Sequence, residues 1–133
     1  MKHIVYLVDD DEDDCYLAQQ ALRPQANCEI KTFHDGHELI TMLSSTDLPL
    51  PTLILLDLNM PLLNGFETLM ALKAHTQWAQ IPVVVLSTSD YYDDKAKSMA
   101  LGAEAFLTKP ANYRALSEVL ASVSTCWQSV LGA

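Results

Sequence analysis

The sequence predicts an α/β fold: a (βα)5 chain wound into a doubly wound parallel five-stranded sheet of order 2-1-3-4-5. Three observations predict it. Short apolar or β-branched segments alternate with longer segments whose apolar residues recur at helical spacing. Three of the short segments are nearly continuous hydrophobic runs, as strands covered on both faces of a parallel sheet require. Prolines and glycines fall at the borders, where they cost no ladder or helix hydrogen bond.

The strands are expected at HIVYLV (3–8), CEIKTF (28–33), TLILL (52–56), IPVVVLS (81–87) and AFLT (105–108). In the first helical segment Cys15, Ala18 and Leu22 share a face, and in the third Phe66, Leu69, Met70 and the aliphatic stem of Lys73 do so. In the last, Tyr113, Leu116, Leu120, Val123, Trp127 and Leu131 recur at steps of three and four. Pro24, Pro49, Pro51, Pro61, Pro82 and Pro110, with Gly36, Gly65 and Gly102, punctuate these elements. Methionines and aromatics on the helices are expected in the core.

A length of 133 residues suits one domain over residues 1–133, large enough for a real hydrophobic core. Half the residues are hydrophobic and 19% are charged, an ordinary globular composition. The net charge of −9 argues against nucleic acid, whose phosphates need a basic face, and against an anionic membrane surface. The three cysteines, Cys15, Cys28 and Cys126, match neither a disulfide framework nor a zinc motif, and read as reduced thiols of a cytoplasmic protein. No segment has the length or apolarity of a signal core or a membrane span.

In an open α/β sheet, ligands sit beyond the carboxyl ends of the strands where strand order reverses, here between the first and third. Those ends carry Asp9 and Asp10 after strand 1, Asp57 after strand 3, Ser87 after strand 4 and Lys109 after strand 5. The run of six acidic residues from Asp9 to Asp14 then divides in two. Asp9 and Asp10 join Asp57 in a cation site, whereas Asp11, Glu12, Asp13 and Asp14 form a solvated first helical turn that favours the helix dipole. An EF-hand loop is excluded, because its sixth position is Asp14 in place of Gly and its twelfth is Gln20. The bland alternatives are a turn-capping role for Asp57, a helix cap at Ser87 and a surface position for Lys109. His3, His34, His37 and His75 show no metal-ligand spacing and are read as structural or surface residues away from this edge.

The stretches LVDDDEDD, LDLNMPLLNGFE, VVVLSTS and LGAEAFLTKP together resemble the receiver domain of bacterial two-component response regulators, over essentially the whole chain. The chain is similar to stand-alone, CheY-like members, including those paired with phytochrome-type kinases, in which an acidic start and a late Trp such as Trp127 recur. The resemblance implies a flavodoxin-like fold and a cytoplasmic signalling switch, phosphorylated by a sensor histidine kinase and catalysing only its own phosphorylation and dephosphorylation. It implies that Asp57 accepts the phosphoryl group and that Asp10 binds Mg²⁺ directly, Asp9 through water and Asn59 through its backbone carbonyl. Ser87 takes the place of the switch hydroxyl, Lys109 that of the phosphate-pairing lysine and Phe106 that of the switch aromatic, with Lys109–Pro110 cis. Ser87 stands where Thr is commoner, and Phe106 lacks the phenolic hydroxyl of many relatives. The output surface would be the fourth helix, fifth strand and fifth helix, with Tyr91, Tyr92, Phe106 and Tyr113 around it and homodimerisation as one outcome. Other readings are a relay intermediate that passes the phosphoryl group to a histidine phosphotransfer protein, a metal-dependent phosphohydrolase, and a phosphorylation-independent adaptor. The phosphohydrolase needs a general acid two residues after the nucleophile, where Asn59 stands; the adaptor would be expected to lose pocket residues, and none is lost.

Overall fold

Short apolar or β-branched segments form five strands in the computed structural model, which describes residues 3–22, 28–45, 50–58, 64–87, 92–110, 112 and 114–119. They are β1 (His3–Val8), β2 (Cys28–Phe33), β3 (Leu53–Asp57), β4 (Val83–Ser87) and β5 (Ala105–Thr108). All pair in parallel, in the order β2-β1-β3-β4-β5. The helices are α1 (Glu12–Leu22), α2 (Gly36–Ser45), α3 (Gly65–Ala74) and α4 (Tyr92–Ala100), followed by α5 over residues 114–119.

Strand alternation divides the core into two layers. Tyr6, Val8, Ile54, Leu56, Val83 and Val85 face Leu39 and Leu43 of α2, Leu69 and Leu72 of α3, and Trp78. Val5, Leu7, Leu53, Leu55, Val84 and Leu86 face Cys15 and Ala18 of α1 and Leu116 of α5. Every residue of β3 and β4 is buried, which explains why those segments carry no polar alternation.

Several expectations change in detail. β4 starts at Val83, because Pro82 lends its carbonyl to the Ile54 N–H but has no N–H to return. A 3₁₀ turn, Trp78–Gln80, leads into it, with the His75 ring stacked on Trp78 at 3.9 Å and accepting the Gln77 and Trp78 N–H groups. The buried stripe of α3 is Gly65, Thr68, Leu69 and Leu72, while Met70 is 53% exposed. Tyr16 and Met99 are also exposed, against the expectation of core placement. No peptide bond among the described residues is cis, so Lys109–Pro110 is trans, the form an X–Pro bond prefers by about 0.5–1 kcal/mol. Cys126, Trp127 and the late positions of the last helix lie outside the described residues.

Candidate functional site

β1 ends in an acidic turn whose hydrogen bonds are local. The Asp9 N–H extends the ladder by bonding the Phe33 carbonyl at 2.9 Å, and Asp9 Oδ1 accepts the Asp11 N–H at 3.0 Å. Asp11 then caps α1, its Oδ1 accepting the N–H groups of Asp13 (2.9 Å) and Asp14 (3.2 Å). Glu12, Asp13 and Asp14 fill the first turn, where the helix dipole favours negative charge.

The other arms come from β3, β4 and β5. Asp57 is the last residue of β3, paired in register with Leu86, and the chain continues with the Leu58 N–H on the Leu86 carbonyl at 3.1 Å. Asn64 caps α3 in a reciprocal capping box with Glu67. The Gly65 N–H bonds the Leu58 carbonyl at 3.0 Å, bringing the start of α3 against the end of β3. Ser87, fully buried, ends β4, and its carbonyl accepts the Lys109 N–H at 2.6 Å.

The period of two sorts these side chains. Asp9, Asp57 and Lys109 continue the alternation of the layer that faces α1, whereas Ser87 and Phe106 continue that of the layer shared with α2 and α3. Phe106, opposite Val85, is half-buried against the latter layer.

Lys109 is the hub. Its Nζ lies 2.6 Å from Asp9 Oδ2, 2.9 Å from Asp14 Oδ2 and 3.6 Å from Asp57 Oδ2. Burial opposes its charge, but Asp57, Asp9 and Asp14 outweigh that, so its pKa rises above the ordinary lysine value and it stays protonated. At Asp9 burial prevails and lifts the carboxyl pKa, against the opposing effects of Lys109 and the Asp11 N–H. Asp9, Asp10 and Asp57 each offer a carboxylate oxygen within 4.8 Å of the others, with Asp9 and Asp57 buried and Asp10 exposed. Three hard oxygen donors at one strand edge fit a divalent cation, and they fit no soft thiolate- or imidazole-seeking metal.

Of the predicted residues, the structure brings Asp9, Asp10, Asp57 and Lys109 together and sets Ser87 and Phe106 on the neighbouring face. Asn59, Tyr91 and Tyr113 lie outside the described residues, as does the side chain of Tyr92. Asp14 was read as solvated, yet it is a direct partner of Lys109. Its place in the first turn of a helix entering from β1 was legible, but that this turn abuts the end of β5 was not. His34 does reach the sheet edge, after β2. There it is exposed, and its ring faces Glu38 at 3.4 Å.

The sequence matches the response regulator receiver domain family over residues 5–121. The chain belongs to that family. Response regulator Rcp1 of Synechocystis sp. is 33% identical to this receiver over 129 residues, which cover 93% of this chain and 88% of the relative. The crystal structure of the phosphorylated cyanobacterial phytochrome response regulator RcpA matches with a TM-score of 0.93 at 35% identity, covering 98% of this chain and 96% of the other. The Mn²⁺-bound form of Rcp1 matches with a TM-score of 0.89 at 33% identity, covering 94% of each. No helix among this receiver's described residues is long and apolar enough to cross a membrane.

Proposed function

We propose that this receiver accepts a phosphoryl group on Asp57 from a histidine kinase, in a Mg²⁺-dependent reaction, and passes the signal through its α4–β5 side. The observation that carries this reading is the gathering of Asp9, Asp10 and Asp57 within 4.8 Å, with a buried ammonium group 3.6 Å from Asp57. Carboxylates held this closely, two of them buried, repel one another, and cationic charge is needed to offset that repulsion. The similarity to RcpA, a phytochrome response regulator, favours a phytochrome-type kinase as the donor.

The chemistry follows from charge. A carboxylate oxygen of Asp57 forms a bond to phosphorus as the P–N bond of the donor phosphohistidine breaks, and the imidazole leaves with the electron pair. Bound at Asp9, Asp10 and Asp57, with the Asn59 carbonyl as a further ligand, Mg²⁺ would supply charge that offsets repulsion between the anionic nucleophile and the anionic phosphoryl group. Lys109 contributes a second positive charge on the β5 side. Once the acyl phosphate has formed, the Ser87 hydroxyl donates a hydrogen bond to a phosphoryl oxygen. Phe106, which shares the Ser87 face, then repacks and biases the surface of α4 and β5.

The test is covalent. Treatment with acetyl phosphate and Mg²⁺, borohydride trapping and peptide mass spectrometry should locate the modification at Asp57, with no signal when metal is withheld. Labelling of Asp57→Asn at the wild-type level would place the acceptor elsewhere and end this reading.

A further inference from the structure

Asp14 lies in the first turn of α1, outside the three carboxylates gathered for a cation. Its Oδ2 accepts from Lys109 Nζ at 2.9 Å, although its side chain is still 21% exposed. Lys109 thus divides its short bonds between Asp9 and Asp14, and its 3.6 Å separation from Asp57 exceeds the usual 2.7–2.9 Å of a charge-assisted hydrogen bond. Asp9 is a poor candidate for an adjustable partner, because its other oxygen is already held by the Asp11 N–H and it belongs to the cation cluster, as Asp14 does not. Asp14 makes the tether that can be released.

We propose that Asp14 is a positioning residue that holds the Lys109 ammonium group on the α1 side of the pocket and so slows phosphoryl acceptance at Asp57. The inference rests on the reading of Asp57 as acceptor. When acetyl phosphate is the donor, an Asp57 oxygen bonds to phosphorus while the acetyl oxygen–phosphorus bond breaks, and acetate leaves with the electron pair. Lys109 assists by moving toward the phosphoryl oxygens, and that movement must draw it away from a carboxylate in direct contact. Asparagine at position 14 keeps the shape and a weaker acceptor but removes the charge that holds the ammonium group. A simpler effect competes: removing any negative charge near the pocket favours an anionic donor. Asp13 provides the control, being exposed on the same turn with no ion pair to Lys109 among those of the described residues.

The experiment compares rates of Asp57 modification by acetyl phosphate at saturating Mg²⁺ in wild type, Asp14→Asn, Asp14→Ser, Asp14→Glu and Asp13→Asn. Removing the tether should accelerate modification about three- to tenfold in Asp14→Asn and Asp14→Ser, with Asp14→Glu returning toward wild type. Asp13→Asn should stay within about twofold of wild type, the size of a screened surface-charge effect. Two neutral variants are used so that misfolding of one leaves the other informative. A metal-free readout is the side-chain ammonium resonance of Lys109, which should shift or broaden in Asp14→Asn and keep its wild-type position in Asp13→Asn. Neutral variants no faster than Asp13→Asn, or an unchanged Lys109 resonance in Asp14→Asn, would overturn the tether while leaving Asp57 as acceptor. Absence of any wild-type modification at Asp57 would overturn the reading beneath it as well.

Discussion

Cys15 shows how the acidic edge acts on a single side chain. Its thiol lies under the start of α1, with Sγ 3.5 Å from the Asp9 carbonyl. Burial first, and the Asp9 charge second, push its pKa from 9.0 up to about 12. At pH 8 the thiolate fraction is then lower by roughly a thousandfold than for an ordinary cysteine, so iodoacetamide should spare Cys15 in the native protein and modify it in urea. Peptide mapping reads this site by site, and rapid native alkylation of Cys15 would contradict its placement. The sign for stability follows. A raised folded-state pKa contributes stability that is complete below the unfolded value of 9.0 and is lost as pH climbs toward 12. Lys109, also raised, acts in the same direction above its ordinary 10.5. Denaturant titrations of metal-free protein should therefore show stability falling between pH 9 and 11, and Cys15→Ala should flatten that fall. The placement of Asp9, Asp57 and Lys109 at one edge was legible because each directly follows a predicted strand, and Asp10 is next to Asp9. Asp14 was not, because its partner is 95 residues away and only the folded sheet brings them together.

At the scale of elements, the end of β3 and the start of α3 form one unit around Asp57. The Asn64–Glu67 capping box satisfies exposed N–H groups of α3, so Asn64→Ala should cost about 1 kcal/mol in a denaturant titration. Gly65 is constrained more tightly. A Cβ there would lie 2.5 Å from the Leu58 Cα and 2.7 Å from the Asp57 carbonyl oxygen, both backbone atoms that cannot rotate aside. Gly65→Ala should destabilise by about 1–3 kcal/mol and weaken beryllofluoride binding, because the segment that presents Asp57 must move. An alanine variant with wild-type stability and binding would refute that close approach. Gly65 marked the border of this unit in the sequence. The face read from the sequence, Phe66, Leu69, Met70 and the Lys73 stem, is only partly the buried one, because apolar residues stand on several sides of α3 and tertiary packing chose Leu69 and Leu72. The 3₁₀ turn at Trp78–Gln80 was equally silent, since it depends on the stacking of Trp78 on His75.

At the scale of the molecule, strand order does the assembling. The order β2-β1-β3-β4-β5 sets β1 beside β3, so their terminal carboxylates converge, and sets β5 near enough for Lys109 to reach both. This convergence followed from alternating apolar strands and helical segments plus the connection rules, which is why the site edge was legible in the sequence. A cation that binds the folded edge and not the unfolded chain stabilises by mass action. Thermal melts of wild type should therefore rise with added Mg²⁺, and those of Asp10→Asn should not. A wild-type melt indifferent to Mg²⁺ would remove the cation site. The claim that joins all of this is that Asp57 and the carboxylates around it form one metal-dependent phosphoryl site. Fluorine NMR of the protein with Mg²⁺ and beryllofluoride, a mimic of the acyl phosphate, reads that site directly. Bound fluorine resonances should appear in wild type, disappear when Mg²⁺ is chelated, and be absent from Asp57→Asn. Bound resonances that persist without metal, or in Asp57→Asn, would contradict it.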